Sequence, residues 1–476
     1  MNNAVFAYYP DQTQVAYSIV EKKRADGGHQ MTVPTAPAAI DRPATKGGRS
    51  RTARPRRGPV ILKYLVGGVL VSLFLYEVLF NLTPTSIRLA AAGGLAVLII
   101  VLSLCWLLAS PRIWRIILFA LLLVVVGCWL MGEASGEGKL DVAKGIRLLM
   151  PLFFVLWVIE LRHAINPRLV LALAGGTLTI ATLSSLLRPQ EIISGLLRLP
   201  PFTGGEDGTH ASSYVVAICA LLIHQLWLNG SISKRMAWSF LGLASVLSIG
   251  MRVATPIFML LNYGLLHTLL TRNLRTGAKM VIWSGMVLSI VAVLFWHEAL
   301  QDQVRGGAAA SVENLGSGRV GTWLGRIALL SRRSAPALLF GTGPGSDRFF
   351  SEIWWWEKKN SHHDFLTTVI EIGFVGLLAV LLFLFLLFRR LGREGAPLMW
   401  FLVSGSLVSN ALMQRPVIAT LFWLAVALAA LRVDRQLQAL WRRQRERQKI
   451  LRQQRSAAGQ RPTRWRRRVG TEPSAP

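Results

Sequence analysis

Four stretches of this chain, Leu65 to Phe80, Leu95 to Leu108, Ile116 to Met131 and Phe374 to Phe388, are nearly free of charge. With their flanks, each is long enough to cross a bilayer. Hydrocarbon offers no partner to a backbone N–H or C=O, so such a stretch must satisfy its polar groups internally and fold as a helix. The alternating pattern of membrane strands is not seen. Composition agrees: mean hydropathy is +0.44 over 476 residues, with 52% hydrophobic and 16% charged. A soluble domain of this size would carry far more charge.

Apolar blocks fall at about 59–80, 87–109, 113–132, 146–161, 168–187, 211–228, 237–251, 253–271, 280–296, 365–388, 397–413 and 417–432. The expected fold is all-α, a polytopic membrane protein of about twelve transmembrane helices with a large periplasmic loop between helices 9 and 10. With the N-terminus inside, every loop on that side is basic: Arg112 and Arg115, Arg162 and Arg168, Lys234 and Arg235, Arg272, Arg275 and Lys279, then Arg389, Arg390 and Arg393. Both termini are thus expected in the cytoplasm. The blocks at 146–161, 237–251 and 253–271 are short, and tilted or re-entrant geometry is open to them.

The net charge of +29 raises nucleic-acid binding, but its distribution argues against it. Basic residues gather in short loops and two tails, residues 1–58 (Lys22, Lys23, Arg24, Arg49, Arg51, Arg54, Arg56, Arg57) and 433–476 (Arg442, Arg443, Arg445, Arg447, Arg464, Arg466 to Arg468). They read as positive-inside anchors attracted to anionic lipid. The expected plan is a disordered tail over 1–58, nine helices over 59–296, a periplasmic loop domain over 297–364, three helices over 365–432, and a second basic tail. Cys105, Cys128 and Cys219 lie in apolar blocks and read as small hydrophobes. The first apolar block begins behind a polar tail, which is not the layout of a signal peptide.

Two outside segments are too long and polar to be plain connectors. Arg188 to His210 contains Glu206, Asp207 and His210, groups suited to sugar hydroxyls, or else polar members of a re-entrant loop. His297 to Ser361, about 65 residues, is expected to have its own structure. Within it Arg319, Trp323 and Arg326 share a helical face, Gly341, Gly343 and Gly345 break the chain, and Trp354 to Trp356 resemble an interfacial belt.

The stretch Ser361 to Gly376 places His362, His363 and Asp364 at the mouth of a helix, with Glu371 in its first turns. Its bland reading is a Ser or Asp cap with polar groups reaching water. Adjacent histidines do not form the i, i+4 pair of a helical zinc site. Arg252 sits between two apolar blocks, either as a snorkelling anchor or as a functional cation. The face carrying Arg319 and Arg326 is, by default, solvated.

Taken together the pattern resembles the O-antigen ligase and Wzy-type polymerase superfamily of polysaccharide assembly. That family's motif is His, usually Asn, nine residues, then Gly-x-x-Gly; here His362, His363, Asp364 to Ile372, Gly373 and Gly376 fit the spacing, with His in place of Asn. Ser248 with Arg252, and Arg319-x-x-x-Trp323 followed by the glycine turn, are further likenesses. The resemblance implies an inner-membrane glycosyltransferase acting on undecaprenyl-diphosphate-linked glycans at the periplasmic face. His362 would be the general base, and Arg252, Arg319 and Arg326 the diphosphate contacts, since guanidinium matches phosphate oxygens bidentately. Glu206, Asp207, His210 and His363 would be glycan contacts. One base and direct displacement imply inversion. No Asp-x-Asp metal motif occurs, and a cation clamp needs no cofactor. The expected partners are the lipid-linked oligosaccharide and membrane lipids, with chain-length regulators or export proteins alongside. A repeat-unit polymerase is the first expectation and a ligase to lipid A–core the alternative. A secondary transporter or glycan flippase is the competing class, but transporters show related halves and midplane charges, which this sequence does not.

Overall fold

The computed structural model describes residues 60–78, 85–109, 113–135, 142–188, 191–193, 196–202, 208–305, 315–348, 361–409 and 415–459, within a compact unit spanning Gly58–Pro476. The basic N-terminal tail lies outside the described residues. Among the described residues, each of the twelve apolar blocks overlaps a helix. They are α1 Val60–Val78, α2 Thr85–Ala109, α3 Ile113–Ser135, α4 Val142–Glu160, α5 Pro167–Leu187, α6 Gly208–Leu228, α7 Lys234–Met251, α8 Ala254–Thr271 and α9 Thr276–Arg305. After α10 Leu315–Ser331 and α11 Ala335–Phe340 come α12 Asp364–Leu391, α13 Ala396–Val408 and α14 Pro416–Gly459. Among the described residues a single hairpin, β1 Glu191–Ile193 paired antiparallel with β2 Leu196–Arg198, interrupts the helical pattern, with Glu191 opposite Arg198.

Local signals set the helix ends. Asn166 caps α5, its Oδ1 accepting from the Arg168 N–H at 3.0 Å, and Pro167 takes the first helical position, where no N–H is needed. Two helices outrun their apolar blocks by two turns or more. α9 continues to Arg305, and α14 continues through the basic segment to Gly459, because residues 433–458 contain no Gly or Pro and many good helix formers. The expected C-terminal tail therefore begins as a helix.

Among the described residues seven helices are long and apolar enough to cross a membrane: α3, α5, α6, α8, α9, α12 and α14. α1, α2, α4 and α13 carry shorter apolar segments, and α7 belongs to neither group. α6 and α14 form the centre. Tyr214 to Ile223 and Leu421 to Ala429 are buried almost throughout, and the alanines at 425, 427, 429 and 430 permit close helix approach. Phe401 of α13 stacks on Phe422 of α14 at 5.7 Å. The outward faces are apolar too: Ile116, Leu123 and Val124 of α3, Val281, Val287 and Leu288 of α9, and Phe374, Leu378 and Phe385 of α12 are exposed. A helix apolar on every face belongs in hydrocarbon.

Ion pairs collect at one end of the bundle. Glu160, closing α4, pairs with Arg115 at the start of α3 and with Arg390 at the end of α12. Asp434 takes Arg162 and His163, Arg432 pairs with Glu394, and Arg435 donates to the Asn229 carbonyl beyond α6. Of these residues, Arg115, Arg162 and Arg390 are ones that the sequence assigned to inside loops. The opposite end gathers the end of α3, the starts of α6, α8 and α12, the ends of α7 and α13, and α10 with α11. That end carries the candidate site.

Candidate active site

Among the described residues, two that are not glycine have positive φ: Arg252 and His362, both at 51°. Side chains avoid this left-handed region at a cost of about 1–2 kcal/mol, and such strain collects at functional positions. Arg252 ends α7, its N–H donating to the Ile249 carbonyl at 3.1 Å before Val253 returns to extended geometry and α8 begins. The segment just beyond β2 packs here. Leu199 donates its N–H to the Gly250 carbonyl at 3.1 Å, and a Cβ on Gly250 would lie 2.4 Å from Leu199 Cδ1. The Arg252 side chain is exposed at this end.

His362 is held by its neighbours. Ser361 donates its N–H to Asp347 Oδ2 at 2.8 Å, and its carbonyl accepts from Trp323 Nε1 at 2.7 Å. Its hydroxyl contacts Thr367 Oγ1 at 2.8 Å, and Thr367 in turn donates to Asp347 Oδ2 at 2.6 Å. On the other side, His363 is the N-cap of α12, its Nδ1 accepting from the Leu366 N–H at 3.2 Å. Its ring meets Trp323 edge to face at 5.2 Å. The cap is thus neither Ser nor Asp, as the bland reading had it, but histidine. Burial lowers the His363 pKa against an opposing backbone hydrogen bond, which favours the neutral ring that can accept. This duty takes one ring nitrogen away from the glycan-contact role expected of it.

The two glycine motifs meet. Gly373 has φ 71° and ψ −179°, a conformation open to glycine alone, and it breaks α12. The carbonyls that the kink releases are bound by the glycine turn: Thr342 N–H donates to Ile370 O at 3.1 Å and Gly343 N–H to Glu371 O at 3.0 Å. Arg333 Nη1 also donates to Ile370 O at 2.9 Å. The Glu371 carboxylate accepts from the Gly345 N–H at 2.6 Å. Backbones touch here: a Cβ on Gly341 would lie 2.3 Å from Glu371 O, and one on Gly373 2.2 Å from Leu339 O. Gly132, near the end of α3, completes the packing, since its Cβ would meet Gly343 N at 2.7 Å.

Arg319, Trp323 and Arg326 do share a face of α10, but they do different things. Arg326 is not solvated, a correction to the default reading of that face: it donates from Nε to Asp347 Oδ1 at 3.1 Å, and the two side chains are 5% and 1% exposed. Its Nε is thus engaged by Asp347 in this structure. Burial lowers its pKa and Asp347 opposes that shift. Arg319 donates to the Val408 carbonyl at 2.8 Å. Burial lowers its pKa as well, the facing Tyr214 opposing and Arg415 adding to the shift. Arg415 lies over the Tyr214 ring at 5.2 Å, and the Tyr214 hydroxyl bonds the Ser409 and Thr255 side chains. Thr255, Tyr214, Arg319, Trp323 and Ser361 therefore form a line of neighbours leading to His362, and Arg252 precedes Thr255 by three residues in the chain.

His210 is half-buried in the first turn of α6, its carbonyl accepting from Ser213 at 2.7 Å. Glu206, Asp207 and Trp354 to Trp356 lie outside the described residues. Sequence reasoning missed Asp347, Tyr214 and Arg415. Arg415 left a signal, a lone charge between two apolar blocks just before Pro416, the same logic that singled out Arg252. No protein-family model matches this chain, and no curated protein matches it.

Proposed function

We propose that this chain is an inner-membrane glycosyltransferase that acts on undecaprenyl-diphosphate-linked glycans at the periplasmic face and polymerises their repeat units. The observation that carries this reading is His362, held in a strained conformation at the mouth of α12, at the bundle end opposite the ion-paired basic end. Under the positive-inside rule the basic end faces the cytoplasm, which puts His362 outside. The reading carries about twelve spans and both termini in the cytoplasm.

In the proposed reaction His362 takes the proton of an acceptor sugar hydroxyl as its oxygen attacks the anomeric carbon. The bond from that carbon to the diphosphate oxygen breaks with its electron pair, and undecaprenyl diphosphate leaves. Arg252 and Arg319 meet the charge that develops on it. Direct displacement inverts the anomeric centre. His363 also accounts for the departure from the family motif. Asn at that position would cap α12 through its side-chain oxygen, and His363 Nδ1 serves the same backbone N–H.

The test is complementation with His362→Ala in cells lacking the gene, with membrane levels of the variant checked and glycan resolved by chain length. Accumulating single lipid-linked units support the polymerase. Long lipid-linked chains would mark a ligase, and unaltered polymer would remove the general base and revive the transporter. With purified enzyme, Arg252→Ala and Arg319→Ala should each raise the donor KM by about tenfold or more, the equivalent of one charge-assisted hydrogen bond.

A further inference from the structure

We infer that Asp347 and Arg326 are a positioning pair that holds Ser361 and thereby fixes the orientation of His362. Asp347 is a buried acceptor from three elements at once: Arg326 of α10, the Ser361 backbone N–H, and Thr367 in the first turn of α12. The carboxylate Oδ2 takes both the Ser361 N–H and the Thr367 hydroxyl, while Oδ1 takes the guanidinium. A carboxylate this deeply buried needs a counter-charge, which Arg326 supplies. Ser361 is thereby tied at its N–H, its carbonyl and its hydroxyl, and the next residue is the one forced left-handed. His363 is tied in turn by its cap and by Trp323. With both neighbours fixed, the backbone of His362 has little freedom to relax, and the clamp limits the directions its ring can take. A general base needs this, because catalysis falls steeply with small errors in placement. Arg326 thus acts through Asp347 and not on the diphosphate.

The kinetic consequence rests on the proposed role of His362, but the conformational claim does not. The primary test measures how fast diethyl pyrocarbonate modifies His362 in the purified full-length chain, read residue by residue by mass spectrometry. Trp323→Phe removes the bond to the Ser361 carbonyl, and Thr367→Val removes the hydroxyl between Ser361 and Asp347. Asp347→Asn removes the charge. Each should speed His362 modification by about fivefold, the population shift of one lost hydrogen bond. Thr367→Ser, which keeps the hydroxyl, should stay at the wild-type rate. His163, exposed at the other end of the bundle, serves as the control for general loosening. In the transfer assay the same variants should lose kcat with donor KM held within about twofold.

Should Asp347→Asn fail to fold, the two single-bond variants decide the matter. Unaltered His362 modification in folded Trp323→Phe and Thr367→Val would overturn the inference, whatever the enzyme does. So would equal acceleration at His163. Altered modification in a chain that transfers no glycan would leave the clamp standing and remove the proposed function.

Discussion

Replacing Gly373 by alanine should be among the most damaging single-methyl changes in the molecule, while the neighbouring glycine of the same motif should tolerate it far better. At Gly373 two costs combine. Its φ of 71° with ψ of −179° lies where an L side chain is strained by about 1–3 kcal/mol. The added Cβ would sit 2.2 Å from the Leu339 carbonyl oxygen, and that atom belongs to backbone, which cannot swing aside. Forced repacking adds about 1–3 kcal/mol, giving roughly 2–6 kcal/mol in all. Relief would require the α11–turn segment to lift from α12, breaking the bonds from Thr342, Gly343 and Gly345. At Gly376 the φ is not positive and the nearest atoms are all of the Ile372 side chain: Cδ1 and Cγ1 at 2.7 Å, which a rotamer change can move, and Cβ at 2.9 Å, which needs only a small shift of one helical turn. Gly68, in α1 with nothing within 4 Å, should accept alanine with no loss. The assay is thermal unfolding of the detergent-solubilised chain followed by size exclusion, with polymer formation in cells as the functional reading. Gly373→Ala with wild-type melting and activity would refute the argument that the kink is docked backbone to backbone. Equal loss at Gly373 and Gly376 would show that the motif needs small residues and not this conformation.

The His363 cap should make stability depend on pH. Because burial lowers its pKa below the ordinary 6.5, the folded chain binds the proton less readily than the unfolded one. The cap's contribution is therefore complete above pH 6.5 and declines as pH falls through the folded value. Melting temperature should drop on acidification in the wild type and less so in His363→Asn, which keeps a cap; His363→Ala should cost about 0.5–2 kcal/mol at neutral pH. A pH profile identical in wild type and His363→Asn would reject the cap as its source. Orientation is open to cysteine labelling in a Cys105→Ser background: Cys in place of Arg252 should react with an impermeant maleimide in intact spheroplasts, and Cys in place of Arg445 only after permeabilisation. The reverse pattern would invert the topology.

The helices were legible because the demand that hydrocarbon makes is local: each apolar block had to bond its own backbone, and each became a helix. Their ends were less so. Hydropathy stops at the membrane surface, whereas helix propensity carried α9 to Arg305 and α14 to Gly459. In the site, the legible residues were those whose type is dictated by backbone geometry or by a charge beside hydrocarbon. Gly341, Gly373, Arg252 and His362 are of this kind. Asp347 was not, because a lone acid after Gly-Pro-Gly-Ser reads as a solvated loop. Its burial depends on Arg326, Ser361 and Thr367, which reach it only through the tertiary fold. Tyr214 inside an apolar helix is indistinguishable from a core aromatic until Arg415 and Arg319 are seen around it.

The arrangement at this end also bears on the choice between a transferase and a transporter. Alternating access asks one group of helices to rock against another around a central site, so contacts near the substrate must break and re-form cheaply. Here the opposite holds. α10, the α11 turn, α3 and the first half of α12 are fastened by close backbone contact at Gly132, Gly341 and Gly373, by a buried ion pair, and by the Ser361 clamp. Breaking the ion pair alone would leave a charge unpaired in the interior, at about 3–5 kcal/mol. Two left-handed residues are also maintained at a cost that only a rigid surround can impose. Rigidity of this kind is wasted on a gate and is what a base and a cation contact need in order to act on one bond. It therefore favours the transferase reading.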